Sequence, residues 1–334
     1  KKLNKKFGFL GILTALVPII ILPYYSVIGG WVTKYFVTFL SGHHMEASSD
    51  DYFGGFIGQT FEPVLWLAIF GVITFVIVLC GVKRGIETAN KFMMPILIVL
   101  SVIIAVYSVT RPGALAGVKY FLVPNVKNFS WMTVVSAMGQ MFYSLSIAMG
   151  ILITFGSYMK KDTAIEDSTR NVEIFDTGIA IMAGLMIIPA VFAFSGGDPD
   201  TLQAGPSLMF ITIPKVFQNM GFGTVIGIVF FLLVLFAAVT SSIALTESAV
   251  STFEDELGWG RKKATVLVGV IMLALGSLSS LGYGPLAGIK IIGMQFLDLF
   301  DFLTNSVMMP IAALLTSLLV SRVVGIDKIE DEII

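Results

Sequence analysis

Apolar residues run along this chain in blocks of about 20 or more, separated by short polar stretches. Neither the two-residue alternation of a half-buried strand nor the single apolar stripe of a helix on a soluble core organises them. Set against a hydrocarbon core roughly 30 Å thick, the blocks predict eight membrane-crossing helices, over residues 8–40, 63–82, 92–110, 131–158, 173–195, 223–252, 262–282 and 294–322. The first is long enough to tilt strongly or to protrude, and Pro18 and Pro23 predict kinks in it. Between the fifth and sixth, "LQAGPSLMFITIPKVFQNM" is amphipathic and interrupted by Pro206 and Pro214, which predicts a surface helical hairpin that does not cross.

Composition agrees with the pattern. Hydrophobic residues make up 56% of the chain and charged residues 13%, against roughly 45–50% and about 25% in soluble domains. The blocks are too long and too many for a signal peptide, and no alternating ten-residue segments of an outer-membrane barrel occur. A formal net charge of −1 gives no reason to expect nucleic acid. Cys80 is the single cysteine, and the two histidines, His43 and His44, are adjacent in a polar loop, so the sequence offers no intrachain disulfide and no Cys/His metal spacing. Lys and Arg fix an orientation. With Lys1 inside, 15 of the 21 basic residues fall on the cytoplasmic side, leaving Lys34, Arg111, Lys119, Lys127, Lys215 and Lys290 outside. The expectation is a multi-pass protein of the cell inner (plasma) membrane with both ends of this chain cytoplasmic.

The fourth block carries "FYSLSIAMG" at its centre, where small residues, hydroxyls and a glycine weaken the helix over Ser144–Gly150. Freed backbone groups in hydrocarbon cost several kcal/mol each, so a break there implies a lined cavity or a bound ligand. Close packing of small residues is the alternative. In "LFAAVTSSIALTES", Ala237, Thr240 and Ser241 share a helix face, with Leu245 one turn on. Two hydroxyls and backbone carbonyls suit a monovalent cation, whereas a divalent ion would want carboxylates. Such hydroxyls also often bond only their own helix. Asp176, expected near the start of the fifth span or one to two turns inside it, is a functional candidate as an intramembrane carboxylate. A helix-start acid favoured by the dipole is the competing reading.

At these residues the sequence resembles the neurotransmitter:sodium symporter family, in its prokaryotic amino-acid-transporting branch. The supporting stretches are "LPYYSVIGGW" (22–31), "GQMFYSLSIAMGILITFGSYMKKD" (139–162), "IFDTGIAIMAGLMIIPAVFAF" (174–194), "FFLLVLFAAVTSSIALTESAVSTFEDEL" (230–257) and "FLDLFDF" (296–302). They follow family order across nearly the whole chain. The resemblance implies an all-α membrane protein with the inverted-repeat transporter fold and discontinuous helices. Residues 1–112 would match family helices three to five, 113–323 helices six to ten, and 324–334 a cytoplasmic tail. The family's first two helices and those after the tenth have no counterpart here, so the expected partners include these missing helices of the same transporter, along with an amino-acid substrate and the lipid bilayer.

Carried over residue by residue, the resemblance implies that Tyr25 donates its hydroxyl to the substrate carboxylate. Tyr143 and Met149 would wall the side-chain pocket with Ile21, Ser241 and Leu245, and backbone near Ser144 and Ser146 would complete it. Family members commonly carry an aromatic residue at the position of Met149, and flexible Met would admit a bulkier apolar or aromatic side chain. Ala237, Thr240 and Ser241 would form one sodium site, Ser144 and Asp176 another touching the substrate carboxylate. Where the family often has Asn, Asp176 would supply the countercharge that chloride provides in animal members, making Na+ the required ion and chloride dispensable. Asp301 would be the outer-gate acid, whose arginine partner belongs to the missing first helix and would be approached by Gln140, and Tyr158 and Asp255 would belong to the inner gate, whose partner is also missing. The function expected is sodium-coupled symport of a hydrophobic or aromatic amino acid by alternating access; the alternative is a non-transporting amino-acid-binding or scaffold protein of the same fold. An enzyme is disfavoured because the buried residues assemble no nucleophile–base pair.

Overall fold

The computed structural model describes residues 7–126, 129–160, 162–196 and 205–325. Their regular structure is helical apart from one isolated bridge between Ile291 and Met294. The elements are α1 (Gly8–Leu40), α2 (His44–Ala47), α3 (Asp50–Ile57), α4 (Glu62–Leu79), α5 (Thr88–Val109), α6 (Ala114–Leu122), α7 (Trp131–Ser144), α8 (Ile151–Ser157), α9 (Ile165–Ser195), α10 (Ile213–Gln218), α11 (Gly223–Leu257), α12 (Arg261–Leu281), α13 (Phe296–Asp301) and α14 (Met309–Leu319). Wider π-type turns precede α5 (Val82–Glu87) and α10 (Leu208–Thr212), join α13 to α14 (Phe302–Met308) and follow α14 (Val320–Val324).

Seven helical runs are long and apolar enough to cross a membrane. The remaining predicted crossing is the interrupted pair α7 and α8, each too short to span alone. α1 and α11 form the centre, packed on each other and both on α4 and α12, while α5 pairs with α9. With lipid as apolar as Leu, close backbone approach replaces the hydrophobic effect as the source of packing. On α1 a Cβ at Gly29 would stand 2.4 Å from the Phe70 ring, and one at Gly30 would stand 2.7 Å from the Leu67 backbone nitrogen. The pair of glycines lets α4 settle against α1.

Several expectations need correction. α1 is one continuous helix that contains Pro18 and Pro23, both buried, which leaves the predicted kinks neither shown nor overturned. The proline-punctuated segment is not a surface hairpin among its described residues. Leu208–Gln218 is a single helical run with Phe210, Ile213, Val216 and Phe217 buried. Pro214 comes just after the wide turn Leu208–Thr212, and the run continues through it. α9 begins at Ile165, eight residues before the predicted start, because polar "IEDSTRNV" extends the helix beyond its apolar block. The expected tail lies, from residue 326 onward, outside the described residues.

The run Leu208–Gln218 is held to one end of α1 by an aromatic cluster. Trp31 meets Phe53, Phe210 and Tyr283 edge-on at 5.2, 5.8 and 5.7 Å, and Phe53 stacks on Phe210 at 5.0 Å. The Tyr35 hydroxyl donates to the Phe210 carbonyl at 2.8 Å, and Ser48 donates to the Pro214 carbonyl at 3.1 Å.

Candidate functional site

The site is built around the break between α7 and α8. Ser130 and Thr133 cap the start of α7 reciprocally, with bonds of 3.3 and 3.2 Å. The helix ends at Ser144, and the chain then passes through left-handed conformations at Ser146, Ala148 and Gly150, with φ of 55°, 64° and 74°. Two non-glycine residues held there mark stored strain, as backbones shaped for a ligand often do. Gly150 is further constrained: a Cβ would lie 3.2 Å from the Thr14 carbonyl oxygen and 3.3 Å from Ser248 Oγ. Across the break, Ser144 Oγ donates to Asp176 Oδ1. Asp176 stands three turns inside α9 rather than at its start, where Glu166 and Asp167 occupy the first turn.

Met149 is buried at 3% exposure within the core shared by α1 and α11, which also contains Ile21 and Leu245, and Tyr143 packs on that core. The Tyr25 hydroxyl faces the Ser241 side chain. Thr240 Oγ1 donates to the Ala237 carbonyl at 2.9 Å. That bond leaves lone pairs on both oxygens for a cation, and it is also the self-bonding that a purely structural threonine would show.

Toward the end of the bundle where α13 begins, the Tyr24 hydroxyl lies 3.3 Å from Thr304 Oγ1 and beside the Asp301 carboxylate, and Tyr143 neighbours it. Asn305 Nδ2 donates to Asp301 Oδ1 at 2.6 Å. The wide turn at Phe302–Met308 carries Thr304 and Asn305. Gln140 is exposed.

At the opposite end, Tyr158 does not meet Asp255. Its hydroxyl donates to Glu247 Oε1 at 2.7 Å, and the Arg261 guanidinium takes both oxygens of the same carboxylate. Arg261 also reaches Glu254 at 3.5 Å and donates twice to the Val78 carbonyl at 2.9 Å. Glu247 is wholly buried. Sequence reasoning passed over Glu247 and Tyr24. For Glu247 the available signal was the one applied to Asp176, a carboxylate within an apolar span. Asp255 and Tyr158 share the lining of a cavity of about 930 Å³ that runs past Thr154 and Ser248 up to Gly150.

Comparison with known proteins follows this geometry. The sequence model of the sodium:neurotransmitter symporter family matches residues 57–334. An uncharacterized sodium-dependent transporter of Bacillus subtilis, YhdH, is 36% identical over 304 residues, covering 90% of this chain and 66% of its own length. A Haemophilus influenzae counterpart, also described as an uncharacterized sodium-dependent transporter, is 31% identical, with 93% and 68% covered. The chain thus spans about two thirds of the length of these relatives. Among solved structures, the crystal structure of MhsT in complex with L-phenylalanine superposes with a TM-score of 0.84 at 36% identity, covering 95% of this chain and 72% of that one. With most of its length matched by the family model and its discontinuous helical fold shared with MhsT, the chain belongs to the sodium:neurotransmitter symporter family, whose members are transporters and not enzymes.

Proposed function

We propose that the protein to which this chain belongs is a sodium-coupled symporter of hydrophobic or aromatic amino acids, working by alternating access, and that this chain supplies much of its substrate and ion sites. The observation that carries the reading is the break at Ser144–Gly150, with left-handed residues and a Ser144–Asp176 bond across it. Half-helix ends present unpaired N–H groups to a carboxylate and unpaired carbonyls to a cation. In this reading Tyr25 bonds the substrate carboxylate, and Tyr143, Met149, Ile21 and Leu245 enclose its side chain. Ser146 backbone and Ser241 complete the pocket. Ala237, Thr240 and Ser241 hold one sodium ion, and Ser144 and Asp176 hold the other. Asp301 and Gln140 serve the outer gate, Tyr158 and Asp255 the inner. The L-phenylalanine bound by MhsT supports an apolar or aromatic substrate. The two chain segments 1–112 and 113–323 act as parts of the two repeats, with the connections rich in Lys and Arg on the cytoplasmic side of the inner membrane.

The test uses the full-length protein in detergent, measuring binding of labelled L-phenylalanine against sodium concentration. Thr240→Val combined with Ser241→Ala should abolish sodium stimulation while circular dichroism stays unchanged. Unaltered sodium dependence overturns the ion assignment. Asp176→Asn should make binding responsive to chloride, and equal indifference to chloride in both proteins removes Asp176 from the charge balance.

A further inference from the structure

One end of the bundle, where α4 turns toward α5 and α11 toward α12, carries charge that transport leaves unused. Arg261 is occupied by Glu247, Glu254 and the Val78 carbonyl. Lys91 pairs with Glu87 at 2.7 Å, and Lys83 also acts on that carboxylate. Arg84, Lys262 and Lys263 are exposed and have no carboxylate partner among the described residues. The acids Glu254, Asp255 and Glu256 of the same connection line the cavity shared with α1. Lys262, Lys263 and Arg84 therefore carry positive charge at this corner that no carboxylate neutralises among the described residues.

Two exposed aliphatic stripes lead up to these cations. On α12, Val266, Val270 and Leu273 are exposed. At about 100° per residue their directions fall between those of Lys262 and Lys263. On α4, which packs beside α12, Val72, Val76 and Leu79 form a second stripe. The Arg261 guanidinium, anchored on the Val78 carbonyl, holds the start of α12 against the last turn of α4. Where the two helices meet, Gly269 lies opposite Phe75, whose ring a Cβ would touch at 3.6 Å. At the rim Trp259 stacks on Phe253 at 6.3 Å, with the Lys263 ammonium 3.9 Å from its ring centroid. An indole and an ammonium so placed suit the headgroup level of a bilayer.

We propose that this corner binds an anionic glycerophospholipid, its phosphate held by Lys262, Lys263 and Arg84 and its acyl chains laid along the exposed stripes of α4 and α12. A soluble anion would satisfy the charges and leave the stripes unused. A second copy of the chain on the same face would bring its own lysines against these.

Full-length protein purified in a neutral detergent tests the assignment, by native mass spectrometry after incubation with equal amounts of phosphatidylglycerol and phosphatidylcholine. Phosphatidylglycerol should be retained preferentially. Each neutralised cation should weaken retention about fivefold, so Lys262→Gln with Lys263→Gln should lose roughly 25-fold. Both side chains are exposed, so the fold should survive the change. Equal retention of the two lipids, or unchanged retention by the double variant, overturns the proposal. So does displacement of the lipid by millimolar inorganic phosphate, which would mark a free-anion site. A dimer that the double variant dissociates would assign the face to a second copy instead.

Discussion

Glu247 has no exposed surface, yet both its oxygens are engaged by Arg261 and one also by Tyr158. Removing one member of such a pair strands the other charge, at a cost of about 3–5 kcal/mol. Glu247→Ala should therefore lower the thermal midpoint of the full-length protein sharply. Glu247→Gln, which keeps an acceptor for Tyr158, should lower it less. Arg261→Lys should behave nearly as badly as Glu247→Ala, because an ammonium cannot reproduce a fork shared between a carboxylate and the Val78 carbonyl. Midpoints equal to the wild type's in all three would remove the network from the stability of the fold. Gly150 offers a second test at this scale. Its φ of 74° and the 3.2 Å approach to the Thr14 carbonyl mean that Gly150→Ala forces a left-handed alanine, at roughly 1–2 kcal/mol, and displaces α1 as well. Substrate binding should fall with it, and wild-type affinity in this variant would show that the break tolerates a side chain. Glu247 was within reach of the sequence, since it falls inside the span predicted over 223–252, as Asp176 falls inside its own. What the sequence could not show is its partners, because Arg261 and Tyr158 meet it only through the packing of α8, α11 and α12.

At the scale of elements, the broken helix was legible because hydroxyls, small residues and glycine interrupt a block whose hydrophobicity is otherwise continuous. The course of Leu208–Gln218 was not. Its prolines carry no information about which face is buried, and what buries it is distant in sequence: Trp31, Tyr35 and Phe53. The early start of α9 was equally hidden, since hydropathy cannot follow a helix beyond the hydrocarbon. The α1–α4 contact makes a prediction that distinguishes side chain from backbone. At Gly29 an added methyl meets the ring of the buried Phe70, a side chain that can shift, whereas at Gly30 it meets the Leu67 backbone, which a helix holds in place. Overpacking typically costs about 1–3 kcal/mol. Gly30→Ala should sit at the upper end and Gly29→Ala well below it, read as thermal midpoints in detergent. The reverse order would mean that α4 slides freely over α1.

At the scale of the whole molecule, the two segments 1–112 and 113–323 do not pack separately. α1 rests chiefly on α11, α4 and α12, and α5 rests on α9, so the halves interlock. That is why no linker marked a boundary in the sequence. The proposed orientation has a direct check in Cys80, which is exposed just after α4, at the end of the bundle that carries Arg261. A membrane-impermeant maleimide should modify it in inside-out vesicles and spare it in right-side-out ones, with Cys80→Ser as the control. Modification from the outside would invert the topology. The Glu247–Arg261 pair also bears on how the chain is made. α11 emerges from the ribosome with a carboxylate beyond a stretch, residues 223–246, that carries no charge, and its neutralising arginine is synthesised only 14 residues later, at the first position of α12. A helix carrying an unpaired acid partitions poorly into lipid. α11 and α12 therefore enter the bilayer most favourably together, as a hairpin closed by its own ion pair.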